Sequence, residues 1–331
     1  MSEQTFIDEI NATIDNLNEN LFGPRILYDM CNDKLHPWGN EAQLRDKLCI
    51  ISRVYEHTLR EGFIHFAERK VDGKKYARHR KINVFESIAK ILSGNEAYIE
   101  FVEKIADMGW SFAFDGSVDD MGHFGESLFA ILEFNEILSD AIIAYDVLYH
   151  QPTHDRSNNY AFASKFLHFH RPAQFFVHDR DIRNGMMHFR NKNGCRIGET
   201  IIDERAKGEV IETPRQVMWF PEAAEVLEGE RPFSPKANLV LTMAHQYAFG
   251  CYIHAHGDEI DSVKLQHLPS IPLLTAALLS SMRKLKTQEE IEAIANELKP
   301  DMPIEEVISY CGDMFEFNQV FAAYSKLNEN K

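Results

Sequence analysis

With 331 residues, 44% of them hydrophobic and 11% aromatic, the chain holds enough apolar material for one large core or two modest ones, which excludes a disordered protein. A formal net charge of −16 excludes a surface that coats nucleic acid over its whole extent, because phosphate binding rests on Lys and Arg contacts. No apolar run approaches the roughly 18 residues that span a bilayer, and the opening MSEQTFIDEI has no basic or apolar leader region, so a cytoplasmic protein with no membrane contact is expected.

Residues 4 to 21 set Phe6, Ile7, Ile10, Ile14, Leu17 and Leu21 on one helical face, and Gly23-Pro24 stops the pattern. After a polar loop with Pro37, Trp38 and Gly39, Asn40 caps a helix whose Leu44, Leu48, Ile51, Tyr55, Leu59 and Phe63 step by three or four. A basic loop, 69–81, follows, with Lys74, Lys75, Arg78 and Arg80 as candidate phosphate contacts in an otherwise acidic chain. Helical patterns resume at Val84, break at Gly94 and break again at Gly109-Trp110. Trp110 to Gly125 reads as an irregular connection whose Trp110 and Phe112 line a pocket or pack on the core. From Glu126 to Tyr149 a long helix, apolar on most sides, is predicted to be central.

A short polar hairpin then leads to the stretch with the densest information, 158–183. Tyr160, Ala163, Phe166, Leu167 and Phe169 recur at helical spacing, Asn158 or Asn159 caps the start, and Pro172 ends the helix. Phe175, Phe176 and Val177 form a buried run that finishes at His178 and Asp179, and His178 to Asp181 can cap a further helix over Ile182 to Phe189. The β-branched composition of Arg196 to Phe220 predicts a small β insertion. Helix returns at Pro235 and runs to about His254, a second apolar helix covers Pro269 to Leu285, Thr287 and Glu290 form a capping box, and Ile304 to Leu327 closes the chain. The expected architecture is mostly α: an N-terminal helical region (1–125), a helix-hairpin-helix-like core (126–195), the β insertion (196–234) and a C-terminal helical region (235–331), packed as one compact unit.

The stretch resembles the catalytic segment of the helix-hairpin-helix DNA glycosylases, in which a hairpin after a core helix leads to a helix carrying a lysine, with an apolar-apolar-Asp element beyond it. Lys165 in FASKFLHF and Asp179 in FFVHDRD stand in those positions. The resemblance implies an enzyme that flips a damaged or modified base out of DNA and cleaves its N-glycosidic bond; repair is one expected setting, and the acidic, helical character of the chain adds defence against foreign DNA as another. It implies Asp179 and Lys165 as the catalytic pair, and DNA as partner with no cofactor.

The chemistry suits those residue types. Breaking the bond between base and sugar develops positive charge at the anomeric carbon, which a carboxylate stabilises. A lysine in an apolar cleft attacks that carbon or binds a neighbouring phosphate. Asn158, Asn159, Arg180 and Arg183 are candidate DNA contacts, and Trp110, Phe112 and Tyr160 candidate walls for the extruded base. Two other classes stay open: a non-catalytic nucleic-acid- or partner-binding helical protein, and a metal-dependent hydrolase using His254, His256 and Asp258. His168 and His170, two apart on a helix, point to different faces and are not expected to share an ion; no metal site is predicted there. Five scattered cysteines with no CxxC pair suggest neither a disulfide framework nor a cysteine zinc site.

Overall fold

The computed structural model describes residues 3–20, 22–31, 38, 40–54, 68–71, 74–77, 84–148, 159–193, 226, 228 and 234–282. The chain divides into two compact units, Met1–Arg283 and Lys284–Lys331. The second unit, with its expected capping box and final helix, lies outside the described residues. So do the hairpin before Asn159 and, apart from 226, 228 and 234, the predicted β insertion.

The fold is mostly helical. Helix α1 (Glu3–Asn20) buries Phe6, Ile7, Ile10 and Ile14, the stripe its spacing predicts. Gly23-Pro24, expected to end the helical pattern, instead lies in the first turn of a second helix, α2 (Phe22–Cys31). First-turn N–H groups have no intrahelical acceptor, so a proline there costs no hydrogen bond. Helix α3 (Glu41–Val54) opens with a reciprocal capping box: Gln43 N–H donates to Asn40 Oδ1 at 3.1 Å, and Asn40 N–H donates to Gln43 Oε1 at 3.0 Å.

The basic segment read as a loop contains a two-stranded antiparallel hairpin, β1 (Glu68–Val71) and β2 (Lys74–Ala77), with Glu68 opposite Ala77 and Val71 opposite Lys74. Helices α4 (Val84–Ser93) and α5 (Glu96–Ala106) meet at Gly94, and Asn95 caps α5 by accepting from Tyr98 N–H.

The long helix, α6 (Val118–Leu148), starts two turns earlier than expected. Gly122 and Gly125 read as breakers, and each costs about 1 kcal/mol relative to Ala. The Ser117 cap on Asp120 N–H, the acids Asp119 and Asp120 in the first turn, and the burial of Phe124 and Leu128 outweigh that cost. Helix α7 (Tyr160–His170) matches its predicted span and is buried from Phe162 through His170. It packs against α2, α3, α6 and, later in the chain, α9 (Pro235–Ala255). Helix α8 (Arg180–Asn193) is longer at both ends than the expected 182–189. The apolar helix expected over 269–285 is α11 (Ile271–Ser281), which Ser270 caps through Leu273 N–H, and a short α10 (Ser262–Leu265) that the spacing did not predict precedes it. Helix α11 packs on α8 and α9, so α7 sits inside a shell of helices whose side chains form one apolar core.

Candidate functional site

Helix α7 ends where Pro172 cannot continue it, and the Arg171 N–H closes the last turn on Leu167 O at 2.8 Å. A turn over 172–174 sends the chain back along α7, with Phe175 and Phe176 fully buried. Two side chains then fix the corner that follows. Ser164 Oγ on α7 accepts from His178 N–H at 2.9 Å, and Gln246 Nε2 on α9 donates to Val177 O at 2.7 Å.

Asp179 stands at the start of α8 and uses both oxygens. Oδ1 accepts from Ile182 N–H at 2.8 Å, which caps the helix, and Oδ2 lies 3.1 Å from Lys165 Nζ. The capping role and the pairing with Lys165, opposed readings in the sequence, coexist in one carboxylate. Side-chain exposure is 2% for Lys165 and 16% for Asp179, so the pair is reached from solvent past the carboxylate.

His178 and Thr242 complete the corner. His178 Nδ1 is 2.6 Å from Thr242 Oγ1, and burial is the main cause pushing the imidazole down to about 4; Arg183 and Lys165 add to it and Asp179 opposes it. Thr242 had no signal in the sequence, because a threonine inside an apolar helix usually bonds to its own turn. His168 faces the other way: its Nδ1–H donates to Phe175 O at 2.7 Å, and Nε2 accepts from the Tyr28 hydroxyl at 2.6 Å. Burial pushes it too down to about 4. His170 pairs with the buried Lys47, Nζ to Nε2 at 3.1 Å, beneath the stacked Trp38 ring.

The remaining predicted residues are dispersed. Asn159, read as a DNA contact, is buried and turns into α6: its N–H donates to Asn135 Oδ1 at 2.7 Å and its amide nitrogen to Ser139 Oγ at 3.4 Å. Phe112, read as a pocket wall, is packed in an aromatic layer with Phe114, Phe176 and Tyr247. In that layer Phe114 adopts the left-handed conformation with φ 57°, and its ring lies against Gly250, where an added Cβ would sit 2.2 Å from Cδ1. Trp110 is half-buried, stacked on His123 with its indole N–H donating to Glu126 at 2.6 Å. Tyr160 is half-buried in the first turn of α7, Arg180 is exposed and Arg183 half-buried on α8. Lys74 and Lys75 belong to β2, while Asn158, Arg78 and Arg80 lie outside the described residues.

His254 and Asp258 are exposed, and His256 Nδ1–H donates to Tyr252 O at 2.9 Å. Among the described residues no three His, Cys, Asp or Glu side chains gather as a metal site, and no helix is long and apolar enough to cross a membrane. Comparison with family models, with curated proteins and with solved structures finds no match to this chain.

Proposed function

We propose that the protein is a DNA glycosylase-like hydrolase that acts on a damaged or modified base through Asp179 and Lys165. The observation that carries this reading is the 3.1 Å contact between a buried lysine and a carboxylate at a helix start, the two groups to which the sequence resemblance points. Asp179 supplies negative charge beside the anomeric carbon as the sugar becomes cationic. In the ion pair Lys165 is an ammonium, which has no lone pair, so water is the nucleophile and the lysine orients the carboxylate. Arg180 and Arg183, on the helix that Asp179 begins, supply phosphate contacts next to the reacting sugar.

Duplexes carrying damaged bases, and modified bases of the kind found in foreign DNA, are the substrates to test. Incubation followed by hot alkali is expected to give strand breaks at the abasic sites, and Asp179→Asn to abolish them. Absence of base release across the panel would rule the reading out for those bases. Borohydride trapping of a Lys165-dependent adduct would replace water by the lysine as nucleophile.

One observation favours a second reading, a non-catalytic nucleic-acid- or partner-binding helical protein. Lys165 is only 2% exposed and both Asp179 oxygens are engaged within the protein. In that case salt-sensitive DNA binding survives Asp179→Asn and no base is released.

A further inference from the structure

Resting on the glycosylase-like reading, we infer that His178 is the proton acceptor of the site, presenting an unprotonated Nε2 to the water that attacks the sugar. The argument begins at Thr242. Its hydroxyl has one hydrogen, and two carbonyl oxygens, Asn238 O and Leu239 O, lie 2.9 Å away. A carbonyl oxygen only accepts, and oxygens at that separation repel unless a hydrogen lies between them. The hydroxyl hydrogen therefore points to the carbonyls, and Thr242 Oγ1 accepts from the imidazole across 2.6 Å. Nδ1 carries the ring proton, which leaves the lone pair on Nε2.

The surroundings keep this tautomer neutral. The charged groups that bear on the ring are Asp179 beside it, Lys165 on α7 and Arg183 on α8, while α9 contributes the neutral Thr242. Burial, Arg183 and Lys165 all disfavour a protonated ring, and Asp179 alone favours it. His178 is half-buried, and among the described residues nothing hydrogen-bonds Nε2.

Asp179 and His178 then divide the work. A proton taken by Asp179 would be at the expense of its bonds to Ile182 N–H and Lys165, so the carboxylate serves as charge. A weak base suffices for the water, because the oxocarbenium-like carbon is strongly electrophilic. As the N-glycosidic bond breaks, its electron pair leaves with the base, which collects a proton from solvent. A lone pair of the water oxygen forms the new bond to the anomeric carbon, and one water proton passes to His178 Nε2. The imidazolium returns that proton to solvent.

The test has two arms. Single-turnover base release is measured for wild type, His178→Gln and His178→Ala on a duplex that the wild type cleaves, with melting curves as the folding control. A loss of about a hundred-fold, with DNA affinity within about three-fold and partial rescue of His178→Ala by free imidazole, is the expected result. Release that survives both substitutions within about three-fold overturns this role and leaves the glycosylase reading standing. No release by wild type overturns that reading and this role with it. Independently of activity, ¹⁵N NMR of the histidine rings reads the tautomer of His178, and an Nε2–H form overturns the inference.

Discussion

His168 and His178 begin from the same chemistry and end as different parts. Burial pushes both imidazoles down to about 4, and in both Nδ1 is the nitrogen that donates, to Phe175 O in one and to Thr242 Oγ1 in the other. The difference lies at the second nitrogen. For His168 the Tyr28 hydroxyl fills it, and the ring becomes a rivet between α2 and α7. For His178, a half-buried residue next to Asp179 in the chain, no described residue hydrogen-bonds it. Burial fixes the charge of an imidazole, whereas the partner of its other nitrogen decides whether the ring is frame or chemistry.

The contrast sharpens most if the open side loses its carboxylate. Asp179→Ala removes the counter-charge from a buried ammonium and uncaps α8, and is expected to cost about 3–5 kcal/mol in urea unfolding. The double substitution Lys165→Met with Asp179→Ala should recover a large share; if the single substitution costs under about 1 kcal/mol, the pair is solvated and not buried.

Acid attacks the closed side next. His168 titrates near 6.5 when unfolded and near 4 when folded, so between those values the unfolded chain binds more protons. Its share of stability is intact above pH 6.5 and falls toward pH 4 by on the order of 3 kcal/mol. Unfolding curves at pH 7.5 and 4.5 measure the loss, and His168→Gln should flatten the slope.

Tyr28→Phe breaks the comparison by leaving the buried Nε2 of His168 without its donor. A cost of about 1–3 kcal/mol is expected, with no change at His178 in ring NMR. Smallest is Thr242→Val, which keeps the shape and deletes the hydroxyl. About 1 kcal/mol or less should be lost, while the His178 tautomer moves away from the Nδ1–H form.

The span of α7, its stop at Pro172 and the burial of Phe175 to Val177 were legible, because apolar spacing and a helix breaker are local signals. Lys165 and Asp179 were legible as candidates for the same reason: they flank one short turn. Helix α2 and the first two turns of α6 were not: Gly23-Pro24 mimics a stop but falls in a first turn, where a proline loses no hydrogen bond, and Gly122 mimics one that a cap and burial override. The partners of His178 and His168 lie farther away in the chain than any periodicity reaches. Thr242 and Tyr28 are joined to them by packing alone.

Gly250 has a role its own backbone does not explain. The flat ring of Phe114 fills the space where any side chain at residue 250 would begin, and Phe249 and Cys251 lie on either side of that notch. Sliding or turning α9 by one position would bring one of those two side chains against the ring. The aromatic layer therefore works like a key in a slot: it admits a single setting of the rod that carries Thr242 and Gln246, and so sets how both reach the corner at His178.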